Sequence, residues 1–549
     1  MLAKHNSRCL YIACLCLLAS GTFSARADEL ALRQTGADVA AARYGATGKG
    51  VVVAILDRGI EWQNPDFIKP DGTTRIKYML DMSGQNYCNA GNPKPIEYTA
   101  AQINAALAGG PTIPERDAVG HGTVTAGIAA GNGRAFAGGK YTGFAPDADL
   151  IIVKLTSDGV PAYTINGTNY PGEAAFTACH TQALAWLDRK LKQLKEPAVA
   201  LINSGVQLWG PIDGTSIVSR TIDQYFKDIP GRIYISASGD EGNLPTHAGG
   251  HFNTAAERAV IFTRASGAAD QMAIWYSGQT PAQITLSLGD GTVVGPVAPP
   301  TTPPWNEIIS ADGLVSVTQF YPGYEFYPAT STSGDRFVNI YLSGHGPVSG
   351  TVEFHALGRG SAKFDIYTGT DVVDYFPTNE LATGRLTDWS STFSANSVGA
   401  HVLRNTYVDI NGNRQTIAGD TPGALWVNSA GGPTRDGRLG IAVTAPGENI
   451  FASYGTTSYW ETFQFNLIQG GGGWYGRQGA TSGASPIAVG AAAMMLQLNP
   501  ALTSEAFNAL ITKTASRDGF TGRTPNIDWG YGKINILGAI EKMCQTARC

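Results

Sequence analysis

The chain has 549 residues, 43% apolar and 15% charged, with 68 glycines and a net charge of −5. That length allows a large core plus one added module, and the composition excludes a disordered or collagenous chain. No basic patch that could neutralise phosphates appears, so nucleic acid is excluded as a partner.

Lys4 and Arg8 precede the apolar run Leu10 to Ala19, and Ala25-Arg26-Ala27 sets small residues before Asp28. This is the pattern of a secretory signal over residues 1–27, too short for a membrane anchor. The four residues Tyr11 to Cys14 lack the leucine of a lipoprotein signal. No later segment reads as a transmembrane helix, so the expected location is periplasmic or extracellular. Loss of Lys4, Arg8 and Arg26 takes the net charge from −5 to −8. Cys9, Cys14 and Cys16 leave with the signal, and Cys88, Cys179, Cys544 and Cys549 remain. Four cysteines in an exported chain suggest two disulfides, with three pairings open. No CxxC pair suggests zinc.

In chain order, Gly50 to Leu56 is a continuous apolar run, as expected of a strand buried on both faces, and Asp57 ends it. Residues 119–130 read as a glycine-rich loop entering a helix. Residues 149–155 form a second strand, 173–195 have helical composition, and 198–203 form a third strand ending at Asn203. Residues 215–227 read as helix, and 231–237 as a fourth strand running into Ser238-Gly239-Asp240. Alternating strand and helix argues for an α/β domain with a mostly parallel sheet, whose sites gather at the carboxyl ends of the strands. From about 257 to 385 the texture becomes short alternating strands between Gly, Pro, Ser and Thr turns. This predicts an inserted antiparallel β-sandwich, jelly-roll-like. The α/β pattern then resumes, with a small-residue helix over 480–497 and a last short helix over 502–516. The expected division is 1–27 signal, 28–256 and 386–549 α/β domain, and 257–385 insert.

Ser482 lies in "GATSGASPIAVGAAA", His121 in "GHGTVTAGIAA" and Asp57 in "VVVAILDRGIEWQNPDF". Alone, each has an ordinary reading as a surface hydroxyl, a bonded histidine or a strand-end aspartate. In that order, with those flanks, the three stretches resemble the motifs of the subtilisin-type serine proteases, the subtilases. "GFAPDADLIIVKL", "GGPTRDGRLGIAVTAPGENIFAS" and "WGYGKINILGAI" resemble further family segments. The resemblance covers roughly 35–256 and 386–542.

The resemblance implies a serine endopeptidase acting on proteins or peptides. Ser482 would be the nucleophile, His121 the general base and acid, and Asp57 the residue that orients the histidine. It implies no cofactor for the chemistry. Family members often bind structural calcium, for which Asp66, Asp71 and Asp81 are candidates. "INSGVQ" matches the substrate-lining strand, so Ser204 and Gly205 would pair with substrate backbone. The insert would shape access to the cleft or bind a partner. An α/β-hydrolase reading fails on chain order and on the lack of G-x-S-x-G around Ser482.

Four departures from the family pattern stand out. Arg58 follows the aspartate where Ser or Thr is usual, and Val124 replaces a second histidine. Little room exists for an inhibitory prodomain between Asp28 and Asp57. The fourth departure is Asp240, which with the backbone at Ser482 would form the oxyanion hole. The family's residue there is Asn, an N–H donor, and an ionised Asp has no proton to give. Asp240 could act protonated, or backbone donors could carry a slow reaction. Alternatively, the chain is a catalytically impaired scaffold that binds or regulates.

Overall fold

The computed structural model describes residues 29–136, 141–205, 207–255, 258–324, 331–369 and 374–546. The expected signal and Cys549, and with it the Cys544–Cys549 pairing, lie outside these residues.

The chain opens with helices α1 (Glu29–Thr35) and α2 (Ala37–Tyr44), then lays down β1 (Val52–Asp57), β2 (Ile76–Asp81) and β3 (Ile96–Thr99). Helices α3 (Ala100–Leu107) and α4 (His121–Ala130) follow, then β4 (Asp149–Lys154), α5 (His180–Leu194), β5 (Ala198–Ile202), α6 (Ile217–Phe226) and β6 (Arg232–Ala237). The chain leaves for ten strands. They are β7 (His247–Asn253), β8 (Arg258–Arg264), β9 (Asp270–Tyr276), β10 (Ala282–Leu288), β11 (Val293–Val297), β12 (Trp305–Ile309), β13 (Val315–Phe320), β14 (Arg336–Leu342), β15 (Val348–Ala356) and β16 (Ser361–Thr368). It returns as β17 (Ala395–Val402), β18 (Val443–Glu448), α7 (Ala480–Leu498), α8 (Ser504–Thr514) and α9 (Ile536–Thr546).

The eight-stranded central sheet runs β18-β17-β6-β5-β1-β4-β2-β3, parallel except for the β2–β3 edge. Strand β1 shows why the run at 51–56 is continuously apolar. Val51, Val53 and Ile55 pack under α4 and α7, while Val52, Ala54 and Leu56 pack under α5 and α6. Both faces are covered, so alternation disappears. Helices α1 and α2 bury Ala31, Leu32, Ala37 and Ala40 in the same core as α7 and α9.

The insert is antiparallel throughout. One sheet runs β7-β16-β9-β14-β13-β12, and the other β11-β10-β15-β8 with Asp374–Tyr375 beyond β8. With the hairpin β12–β13 set aside, the order is first-eighth-third-sixth against second-seventh-fourth-fifth, the jelly-roll order expected from sequence. A buried apolar cluster including Phe252, Phe262, Tyr276 and Phe354 fills the space between the sheets.

Three sequence expectations are revised. Strand β7 lies before residue 257, because Gly249 and Gly250 interrupt its alternation. The helix expected from 173 starts at His180, since Phe176–Ala178 pairs with Thr156–Ser157. Helix α9 follows the segment read as the last helix.

The insert is seated by Arg435, which lies between β17 and β18. Its Nε donates to Asp365 Oδ2 of β16 at 2.6 Å, and it also pairs with Asp335. Ile212, Leu386 and Ile441 pack against Trp275, Phe337 and Tyr367 of the sandwich.

Candidate active site

Asp57 is the last residue of β1, fully buried at the carboxyl edge of the sheet. His121 is the first residue of α4, 64 residues on. Gly120 before it has φ 111°, and a Cβ there would lie 2.8 Å from Ser458 Oγ. Glycine therefore lets the chain turn into the helix. Asp117 accepts from the N–H groups of Gly120 and Thr123, both at 2.8 Å, satisfying the helix start. His121 Nδ1 lies 2.8 and 2.9 Å from the two Asp57 carboxyl oxygens. Trp460 stands edge-on to the imidazole, with ring centroids 5.7 Å apart.

Ser482 is the third residue of α7. Ala480, two residues earlier, has φ 70°, a left-handed conformation that costs a side-chain-bearing residue energy. Asn203, just beyond β5, ties the elements together. Its Nδ2 donates to Thr125 Oγ1 of α4 at 2.8 Å and to the Ser482 carbonyl at 3.1 Å, and its Oδ1 accepts from Ser485 Oγ at 2.9 Å. Ser482 and His121 line one cleft of about 470 Å³, with no hydrogen bond between them. Such contacts are often looser before substrate binds.

Burial pushes the Asp57 carboxyl up, but His121, by charge and hydrogen bond, and the neighbouring Arg58 outweigh it and hold the group below its usual range. Arg58 itself grips Asp158 through Nε at 2.6 Å and Nη2 at 2.8 Å. A carboxylate kept ionised against a buried imidazole fixes its tautomer and stabilises the imidazolium.

Asp240 lines the same cleft on the loop after β6. Its Oδ1 accepts from Thr481 N at 3.1 Å and Thr481 Oγ1 at 2.7 Å. Burial raises its carboxyl above the usual range, against the Thr481 bonds and the charges of His121 and Arg58. Ser204 and Gly205 also line the cleft. The Ser204 carbonyl accepts one hydrogen bond, from the Trp389 indole.

The acidic residues weighed for calcium each accept hydrogen bonds within the protein. Asp66 accepts from Ala135 N, Ser453 Oγ and Tyr475 Oη. Asp71 holds Thr73 and Asp81 holds Ser83, each in its own turn. Among the described residues no His, Cys, Asp and Glu cluster that could hold a metal forms. Two acidic residues of the cleft were not singled out from sequence, Glu241 and Glu448. Glu241 sits beside Asp240 in the same short motif, which was the available signal. Glu448 accepts from Ala480 N at 2.9 Å, and burial lifts it to about 7.

Against known families, residues 48–532 match the model described as "Subtilase family". The chain belongs to the subtilase family. Its family places it among the subtilisin-type serine hydrolases. Serine protease AprX of Bacillus subtilis is 31% identical over 160 residues, 29% of this chain and 34% of AprX. The chain thus matches about a third of that relative's length. The structure of the Clostridium perfringens CspB protease superposes with a TM-score of 0.70 at 21% identity, covering 94% of this chain and 98% of that one. That likeness is one of fold, and its coverage takes in more than the α/β domain. The subtilase also carries a disulfide between Cys88 and Cys179. Among the described residues no helix is long and apolar enough to cross a membrane.

Proposed function

We propose that this subtilase is an exported serine endopeptidase working through an acyl-enzyme. Ser482 Oγ attacks the scissile carbonyl while His121 takes its proton, oriented by Asp57. The leaving amine departs with that proton, and water then repeats the sequence to release the acid. The observation that carries this reading is the Asp57–His121 contact at 2.8 Å, facing Ser482 across one cleft. The chemistry requires no cofactor, and the substrates are proteins or peptides. The sandwich limits access to the cleft or holds a partner.

Asp240 would act as a neutral acid. Thr481 occupies Oδ1, which leaves Oδ2 to carry a proton toward the oxyanion, and burial favours that proton. Ser204 and Gly205 would contact substrate as cleft wall. The second reading, an impaired scaffold that binds or regulates, draws on the carboxylate standing where an amide donor is usual.

A fluorophosphonate probe separates the two. Labelling of the parent but not of Ser482→Ala supports the peptidase. An unlabelled parent between pH 5 and pH 9, folded by circular dichroism, sinks it.

A further inference from the structure

Helix α7 starts without a cap of its own. Gly479 at its N-cap has no side chain to offer, and Gly483 is the residue whose N–H reaches back to the Gly479 carbonyl, at 3.1 Å. The N–H groups of Ala480, Thr481 and Ser482 are left over, as at any helix start. Two acids from different strand ends take the first two. Glu448, the last residue of β18, accepts from Ala480 N at 2.9 Å through Oε2. Asp240, after β6, accepts from Thr481 N at 3.1 Å through Oδ1. The third N–H, on Ser482, is left for the cleft that Glu448 and Asp240 both line.

Glu448 lies directly on the turn that it caps. A Cβ on Gly479 would sit 2.4 Å from its Oε2 and 2.9 Å from its Oε1. Ala480 holds φ 70°, a conformation that persists only where its surroundings fix it, and Glu448, 6% exposed, supplies that fixing bond. The two carboxylates bind consecutive amides of one turn, which brings their charges close. Like charges so placed in a buried site repel strongly. Arg477 Nη1 is 3.6 Å from Glu448 Oε1 and favours its anion, while Asp420 and Asp240 oppose it. Glu241, whose Oε2 accepts the Asp240 N–H at 2.9 Å, repels the Asp240 anion, while His121 and Arg58 favour it.

We infer that Glu448 is a positioning residue for Ser482, holding the turn at Ala480 from which α7 begins, and that it and Asp240 keep one proton between them. The Arg477 contact places the negative charge on Glu448 and the proton on Asp240. The inference rests on the peptidase reading for the use made of Ser482 and of that proton. The coupling of the two acids belongs to the fold. An ionised Glu448 keeps Asp240 protonated to higher pH than Asp240 would be alone.

The test compares the full chain with Glu448→Ala, which removes the acceptor, and Glu448→Gln, which keeps an acceptor oxygen and drops the charge. Glu448→Ala should lower kcat by about tenfold or more with KM changed by less than about twofold, because a misplaced nucleophile is felt in the chemical step. Glu448→Gln should recover about fivefold or more of that loss at pH 6, and its alkaline limb should lie about half a pH unit or more below the parent's. A parent that labels with fluorophosphonate, with Glu448→Ala equal to it in kcat, overturns the inference and leaves the peptidase reading intact. So does an unmoved alkaline limb in Glu448→Gln. Urea unfolding gives a readout that needs no turnover. The midpoint shifts of Glu448→Gln and Asp240→Asn should add at pH 5, while at pH 9 the double variant should shift by clearly less than their sum. That shortfall supports the coupled pair even if the parent neither labels nor cleaves, in which case the peptidase reading alone fails. Shifts that add at pH 9 overturn the inference.

Discussion

Asp240 Oδ1 accepts both the amide and the hydroxyl of Thr481, the residue immediately before Ser482. The two donors favour the anion, while burial favours the neutral acid and wins in direction. In the proposed mechanism the active form is the neutral one, so activity should fall as pH rises through the Asp240 pKa. Thr481→Val removes one donor to the anion and should move that alkaline limb to higher pH. Asp240→Asn supplies a permanent donor and should abolish the limb, raising kcat/KM at pH 9 by about tenfold or more. Unchanged pH profiles in both variants would remove Asp240 from the mechanism.

Asp57 is held ionised against His121 Nδ1, an acceptor-only partner that favours the proton on that nitrogen, and in the proposed mechanism Nε2 acts as base. Asp57→Asn can present its amide N–H to the ring and favour the other tautomer. Turnover should fall by about 10⁴, with KM little changed, because the loss is felt in proton transfer. A fall of less than tenfold in single-turnover kinetics would contradict this role.

Glu115 is buried against β1's exit, where Oε1 accepts from Ile60 N at 3.1 Å and Oε2 has no partner. Burial, with Asp81 and Asp117 adding repulsion against Lys154, lifts it to about 8. The folded state then binds a proton that the unfolded state has lost, between about pH 4.5 and about pH 8. Stability from this group is full below that window and declines as pH rises through it. Glu115→Gln should therefore gain on the parent as pH rises, by on the order of 2 kcal/mol at pH 9. Chemical denaturation at pH 5 and pH 9 measures the difference.

Cys88 and Cys179 are joined across 91 residues, linking the loop after β2 to the start of α5. A link closing so long a loop restricts the unfolded chain, and its loss costs roughly 2–5 kcal/mol. The Cys88→Ser, Cys179→Ser double variant should melt several degrees lower than the oxidised parent and match the reduced parent. Equal melting temperatures would show that the link contributes nothing.

What the sequence made legible follows from where each signal lives. Asp57, His121, Ser482 and Asp240 became legible through the resemblance of their flanking stretches to subtilase motifs, because each alone has an ordinary reading. The antiparallel sandwich was readable in outline because its strands alternate, but β7 was not, since its glycines erase the alternation. Glu241 lay in plain view beside Asp240. Its place in the cleft wall follows from the fold, in which the ends of β5 and β6 lie side by side. Arg435 carries no local signal, because its two acidic partners lie 70 and 100 residues away.

That arginine carries the last prediction. Arg435 and Asp365 are 6% and 3% exposed, and His247 Nε2 shares Asp365 at 3.1 Å. Against the burial that would raise it, His247 and Arg435 hold the Asp365 carboxyl well below its usual range. A depressed carboxyl contributes stability above its unfolded pKa and loses it as pH falls through the folded value. Arg435→Met leaves a buried, under-compensated carboxylate and should cost about 3–5 kcal/mol at pH 7, with a smaller cost near pH 3. Asp335 loses its partner as well, yet its side chain is 18% exposed and water can compensate it. Adding Asp365→Asn to Arg435→Met should recover part of the loss, because an amide needs no counter-ion. If the double variant is no more stable than Arg435→Met alone, the arginine seats the sandwich through packing rather than through charge.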